Sequence, residues 1–322
     1  MLTALHAAPE AAVARAVGAG ELAALAGAPG VLWVDLQGPT EEETQVLSRV
    51  FRFHPLAIED CVAETNHPKA DNYGDYVYLV VHGVRPSNER GRIDVEEVDF
   101  FLGRSYVVTY HTAAVRAIDE VRRRCTEVQG EMRAADMLLH AMLDRMVDSY
   151  VVKMEALDGE VDQLEHRLFR RHIAGRAVLN EIFSVKKEVL QLRRLVSPQR
   201  EVVNRFARGE FTVVSAAAAP HFRNVYDHVY RVSEMTETFR DVVTSALETY
   251  LTVVANRTNE IMKVLTIVSV ILMTSSLVAG IYGMNFAALP GKDWPAGFWA
   301  SLAVMAAAGG VILMIFKKRR WI

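Results

Sequence analysis

Two stretches near the C-terminus carry no charge at all, Val264 to Gly291 and Trp294 to Phe316. They constrain the chain more than any other feature, because an α-helix needs about 20 apolar residues to cross roughly 30 Å of hydrocarbon. Eighteen residues, Val264–Ile281, precede a glycine-containing turn, and the second stretch supplies twenty-three. Buried helices of a soluble protein seldom run so far without a charge, so both stretches are read as membrane-spanning. They are joined by GIYGMNFAALPGKDWPAGF, Gly280 to Phe298, a short connection with the amide of Asn285 at its tip.

The flanks set the orientation. Lys317, Lys318, Arg319 and Arg320 follow the second stretch, and Arg257 and Lys263 precede the first. Positive residues near membrane ends favour the cytoplasmic side. The hairpin is therefore expected to enter and leave from the cytoplasm of a cell's inner (plasma) membrane, with both termini cytoplasmic and the loop outside. Trp294, Trp299 and Trp321 suit the two interfaces.

The 322 residues carry a net charge of −3, with no basic stripe interleaved with aromatics, so a nucleic-acid partner is not expected. Cys61 and Cys125 have neither metal-type spacing nor a disulfide framework and read as reduced structural thiols. Glu10, Arg15 and Glu21 interrupt the alanine-rich first thirty residues, and no signal-peptide core forms. A Gly-rich phosphate loop and a nucleophile–base constellation are both lacking, which points away from an enzyme.

The fold class expected is an α+β cytoplasmic domain, then long stalk helices, then two C-terminal transmembrane helices. VLWVDL (Val31–Leu36), DYVYLVVHGV (Asp75–Val84), EVDFFLG (Glu97–Gly103) and SYVVTYH (Ser105–His111) are strand material, β-branched and aromatic, with a hairpin turn at Gly103-Arg104. Pro39–Phe51 starts a helix with Thr40 as N-cap, and shorter helices are expected at His54–Cys61 and around Ala114–Arg124. His54, His67, His82 and His111 are scattered and read as packing or surface residues. From Ala134 onward apolar residues recur at three and four, and the acids Glu155, Asp158, Glu160, Asp162 and Glu165 read as a solvated helix face. A second helix is expected over Ala177–Phe206. A third starts near Pro220 and meets no further Gly or Pro before Gly280, a run of some sixty residues that needs neighbours or oligomerisation. The organisation read is a domain over 1–132, a stalk over 133–262, a first span with its turn over 263–286, a loop over 287–294, a second span over 295–316 and a basic tail over 317–322.

Along the third helix, Asn259, Met262, Thr266, Ser269, Met273, Ser276, Gly280 and Gly283 recur at alternating spacings of 3 and 4. That is one helix face in heptad register, and it holds most of the segment's polar and small residues. Small residues allow close helix packing in lipid, so the face reads either as a helix–helix seam or as a pore lining built from several copies. The polar tip and the long stalk favour the pore.

With these features stated, ANRTNEIMKVLTIV…AGIYGMNF (Ala255–Phe286) and the closing FKKRRWI (Phe316–Ile322) resemble the CorA family of magnesium and cobalt channels and transporters. FRNVYDHVYRVSEMTETFRD (Phe222–Asp241) shares its pattern, and IEDC, HPKADNYGDYVYLV and VDFFLGRSYVVTYH agree more loosely. The resemblance implies a funnel-shaped homopentamer in the lipid bilayer that passes hydrated Mg²⁺, Co²⁺ or Ni²⁺ inward down the electrochemical gradient. It needs no cofactor beyond the transported Mg²⁺ and a regulatory Mg²⁺. Gly283, Met284 and Asn285 would form the selectivity filter, with Asn285 meeting the hydrated ion through its water shell. Asn259, Met262, Leu265, Met273 and Ser276 would line the pore; Leu265 lies beside Thr266, and which of the two faces the lumen stays open. Lys317, Lys318, Arg319 and Arg320 would form a basic ring.

Two positions depart from the family pattern. The loop after the filter, Ala287 to Asp293, lacks the usual acidic character and holds only Asp293, beside Lys292. Asn224 stands where many relatives have an aspartate tied to magnesium sensing, so the regulatory site at Asn224 is expected to be altered or to use other acids. The alternatives are a zinc transporter of the same superfamily, proton-coupled or not, and a non-conducting membrane-anchored coiled-coil scaffold.

Overall fold

The structure is a computed structural model that describes residues 1–9, 13–63, 67–87, 89, 91–127, 132–169, 175–284, 294–319 and 321. Two compact units make up the chain, residues 1–247 and 248–322.

A seven-stranded sheet organises the first unit. Its strands are β1 (Leu2–Ala7), β2 (Arg15–Ala16), β3 (Val31–Gln37), β4 (Lys69–Asn72), β5 (Tyr76–Pro86), β6 (Ile93–Gly103) and β7 (Tyr106–His111), in the order β2-β1-β3-β7-β6-β5-β4. Only β3 and β7 run parallel; the remaining neighbours are antiparallel. Side chains alternate across a strand, so Leu32, Val34 and Leu36 of β3 share one face with Tyr78 and Val80 of β5 and Phe101 of β6. They form a core with Leu22, Leu47, Ala57 and Cys61. Those four come from α1 (Leu22–Leu25), α2 (Glu41–Arg49) and α3 (Pro55–Val62). Phe53, between α2 and α3, stacks on Phe101 with ring centroids 4.1 Å apart. The start of α2 is a full capping box: Thr40 Oγ1 accepts the Glu43 amide at 3.3 Å, and Glu43 accepts the Thr40 amide at 2.9 Å.

The β6–β7 connection is the two-residue loop Arg104–Ser105, one residue later than the sequence suggested. Gly103 is required there because a Cβ would lie 2.4 Å from the Tyr106 ring. Residues 2–7 had shown only alanine-rich character, yet they form β1, paired along its whole length with β3 from Leu2↔Leu36 to Ala7↔Val31.

The other face of the sheet packs against α5 (Ala135–Phe169), which in turn contacts α4 (Arg116–Glu127) and α6 (Arg176–Ala207). These two long helices also secure the β5–β6 hairpin. The pairing of β4 ends at Lys69↔Val80, so the rest of β5 is an edge with free amides. Side chains take them: Gln199 Oε1 accepts the His82 amide at 3.0 Å, and Ser149 Oγ accepts the Val84 amide at 3.0 Å. At the hairpin end, Glu188 Oε1 accepts the Gly91 amide at 2.9 Å while its other oxygen pairs with Lys153.

Helix α7 runs unbroken from Ala219 to Tyr282, 64 residues, with Pro220 in its first turn where a missing N–H costs nothing. Its first part packs in the first unit, where Arg193 of α6 donates to Glu237 at 2.5 Å. Both cysteines are free and buried. His82 and His111 are buried as well, and each is paired with a carboxylate. Glu155, Asp158, Asp162 and Glu165 are exposed on α5, as a solvated face requires. The second unit holds the remainder of α7 and helix α8 (Gly297–Lys318).

Candidate functional site

Both C-terminal helices have the length and apolar character of membrane spans, with mean hydropathy of 2.3 and 2.1 in their most apolar windows. They touch where α8 has no side chain: a Cβ on Gly309 would stand 3.7 Å from Cγ2 of Ile271. That contact defines a covered face on α7. Ile267 is 8% exposed, and Val270, Ile271, Thr274, Ser275 and Val278 are half-buried. These positions recur at three and four residues and so share one side of the helix.

The heptad residues lie largely on the opposite side. Met262 and Met273 are 54% and 75% exposed, and Asn259, Ser269, Ser276, Gly280 and Gly283 are also exposed. Thr266 is the exception. It is half-buried, with its hydroxyl donating to the Met262 carbonyl at 2.7 Å, whereas neighbouring Leu265 is 56% exposed. A single chain thus leaves the heptad face of α7 uncovered, with its small, hydroxyl and methionine side chains, and with it the flanking Leu265, Leu272 and Leu277.

The helix ends where the glycine–methionine–asparagine motif begins. The Gly283 amide still donates to Ala279 at 2.9 Å, and the Met284 amide donates to Ile281 at 3.3 Å in a tightened last turn. Asn285 and the loop 287–293 lie outside the described residues, as does Arg320. Lys317 and Lys318 occupy the last turn of α8 and Arg319 its C-cap, where positive charge complements the helix dipole.

Asn224 is exposed on α7, in the first unit. It shares a face with His221 and His228, three residues before and four after it. The carboxylates this part of α7 meets belong to α5. Asp144 interacts with His140, whose ring lies edge-on to that of His221 at 5.3 Å, and Asp148 feels both Asp144 and His228. Burial, and then the nearby Asp144 charge, raises the Asp148 carboxyl above its ordinary pKa. Asp144 and Asp148 were not singled out in the sequence, although their spacing of four on a helix was the available signal. Among the described residues, no group of three or more His, Cys, Asp or Glu side chains is arranged to hold a metal ion.

The sequence model of a family described as "CorA-like Mg2+ transporter protein" matches residues 29–318. The chain belongs to this CorA family. It is 34% identical over 295 residues to the cobalt/magnesium transport protein CorA of Thermotoga maritima, covering 90% of this chain and 83% of that protein. It is 33% identical over 290 residues to the putative metal ion transporter YfjQ of Bacillus subtilis, covering 90% and 89%. The fold matches that of the complete CorA magnesium transporter from Methanocaldococcus jannaschii with a TM-score of 0.84, over 100% of this chain and 99% of the other, at 22% identity. The protein is thus a CorA-family divalent-metal transporter in a membrane, not an enzyme, and its fold is the CorA fold.

Proposed function

We propose that several copies of this chain, five by the family resemblance, surround a pore through which hydrated Mg²⁺ enters the cell, with Co²⁺ and Ni²⁺ as further substrates. The observation that carries this reading is the exposed face of α7. Helix α8 covers Ile267 and its neighbours, while Met262, Ser269, Met273, Ser276 and Gly280 stay uncovered on the far side. A face of this composition in a membrane is suited to the same face of other copies around an aqueous axis.

The chemistry fits a hydrated ion. Mg²⁺ gives up its inner waters reluctantly, and a ring of Asn285 amide oxygens accepts hydrogen bonds from that shell without trapping the ion as carboxylates would. Gly283 and Met284 shape the turn that presents the ring. Conduction requires binding strong enough for entry and weak enough for exit, and hydrophobic constrictions gate by losing their water. Met262, Leu265 and Met273 supply such constrictions. The membrane potential drives entry by about 2.3 kcal/mol per charge per 100 mV, or ~4.6 for a divalent ion. The basic flanks support an inner (plasma) membrane orientation with both termini in the cytoplasm. No resident cofactor is needed; intracellular Mg²⁺ acts as cargo and as a regulator through Asp144 and Asp148 of α5, since Asn224 is a weak ligand.

Uptake into proteoliposomes at a fixed potential, with and without a pH gradient, tests this directly. Mg²⁺ should enter without a pH gradient, and Asn285→Ala should abolish selective flux. Strict dependence on a proton gradient with a preference for Zn²⁺ would establish the zinc reading instead. Unchanged Mg²⁺ selectivity in Asn285→Ala would remove that residue from the filter.

A further inference from the structure

The buried polar network at the end of β7 has hydrogen-bond directions that determine a protonation state. Asp35 on β3, 2% exposed, is at its centre. Trp33 Nε1 donates to Thr109 Oγ1 at 3.0 Å, and that hydroxyl donates a hydrogen bond to Asp35 Oδ1 at 2.5 Å. Arg122 of α4 donates to the other oxygen, Oδ2. Both Asp35 oxygens are therefore acceptors, and the group is a carboxylate. His111, 2% exposed, places Nε2 3.0 Å from Oδ1 of that carboxylate and Nδ1 2.6 Å from the Ala113 carbonyl. A carbonyl can only accept, and here the carboxylate can only accept. Both ring nitrogens must therefore carry hydrogen, which only the imidazolium does.

We propose that His111 is a buried imidazolium at neutral pH and acts as an alkaline-release latch, holding the β7–α4 corner against β3 until it loses its proton. Loss of either proton turns a donor into a lone pair facing an oxygen, at Ala113 or at Asp35. The two anchor points cannot both survive: one ties the Ala113 turn that leads into α4 to β7, and the other ties β7 to Asp35 of β3, which Arg122 of α4 also holds. The corner contributes to a cavity of about 520 Å³ lined by Arg85, Glu96, Ala114, Arg116, Asp119, Glu120 and Arg123, so release would change the surface there as well.

The charged surroundings are consistent with this. Burial works against the imidazolium, but the hydrogen bond and charge of Asp35 outweigh it, and the His111 pKa stands above its ordinary value. From α4, Arg122 opposes the charge, and Arg122 is itself paired with Asp119 at 3.1 Å as well as with Asp35. From β6, half-buried Glu96 feels His111 and is also drawn to Arg85 of β5. Helix α5 has one buried acid, Asp136, whose oxygens are taken by the Met137 and Ser215 amides. Because the folded pKa is raised, the stabilisation is complete below the unfolded value of about 6.5 and is lost as pH rises through the folded value.

The test uses the full-length protein in detergent, with mass-spectrometric hydrogen–deuterium exchange at each histidine ring carbon across about pH 5 to 10. His111 should titrate above exposed His67, and Asp35→Asn should lower the His111 midpoint. In parallel, amide exchange over residues 110–118, corrected for base catalysis, should rise about tenfold per pH unit above the His111 midpoint. His111→Gln should make that segment open at every pH. A His111 midpoint at or below that of His67, or corrected wild-type exchange over 110–118 that is flat with pH, would overturn the proposal. The wild-type measurements alone are decisive if a variant fails to fold.

Discussion

Gln199 and His82 are 117 residues apart in sequence, yet the Gln199 side-chain oxygen accepts the His82 amide at 3.0 Å inside the protein. The same strand residue receives the Tyr150 hydroxyl on its carbonyl at 2.9 Å. A helix from the second half of the unit thus completes the open edge of a strand from the first. Gln199→Leu should leave the buried amide without an acceptor at a cost of about 1–3 kcal/mol. A lowered midpoint for unfolding of the first unit checks this, together with faster amide exchange in residues 80–86; unchanged exchange there would show that the bond contributes nothing.

Glu43 gives a prediction with a defined pH window. The Thr40 amide foremost, and the Leu2 amide among others, hold its carboxyl down at about 2. A depressed folded pKa means stabilisation that is present above the unfolded value of about 4.3 and is lost as pH falls towards 2. Glu43→Gln should therefore lower the unfolding temperature at neutral pH, and its difference from wild type should shrink as pH drops from about 4.3. A difference that stays constant over that range would mean that charge plays no part.

The membrane hairpin, the long helix and four inner strands of the sheet were legible because each is encoded locally. Val264–Gly291 lacks charge, His221–Ala279 lacks glycine and proline, and β3, β5, β6 and β7 are rich in β-branched and aromatic residues. Strand β1 was not legible, since LTALHA has no alternation of its own and becomes a strand only by pairing with β3. The same applies to the two-residue β2 and to β4, KADN, whose polar letters suit a turn as well as an edge. The buried roles of His82 and His111 were hidden for a related reason. His111 meets Asp35 across 76 residues only because β3 and β7 run parallel in register, Gln37 opposite His111. The heptad face was visible in the sequence as a pattern; which side α8 covers depends on the contact of Gly309 with Ile271.

That helix contact can be tested by filling it. A methyl at Gly309 would meet Ile271 at ordinary contact distance, whereas nothing lies within 4 Å of a Cβ at Gly310. Gly309→Ala should be tolerated, and Gly309→Leu should cost about 1–3 kcal/mol by overpacking. Gly310→Leu is the control and should stay close to wild type. Thermal stability of the purified protein in detergent separates the two leucine variants; equal loss in both would deny Gly309 a special place.

Leu265 and Thr266 differ in burial, which bears on which of them would line the proposed pore. Leu265 is 56% exposed on the uncovered side of α7, while Thr266 is half-buried with its hydroxyl already donating to the Met262 carbonyl at 2.7 Å. Counting 100° per residue from Ile267, Leu265 and Thr266 fall about 50° to either side of the mean direction of Met262, Ser269, Met273 and Ser276, so exposure and the spent hydroxyl, not helix phase, favour the leucine. The apolar side chain would then narrow the pathway, and the hydroxyl would stay with its own backbone. Both native cysteines are buried, so a single introduced thiol can be followed. Leu265→Cys should react with a membrane-impermeant thiol reagent and lose ion flux on modification. Thr266→Cys should react at least about tenfold more slowly, because a side chain packed off the axis is shielded from water. Faster modification of Thr266→Cys, with block of flux, would place the threonine in the lumen and turn the leucine away from it.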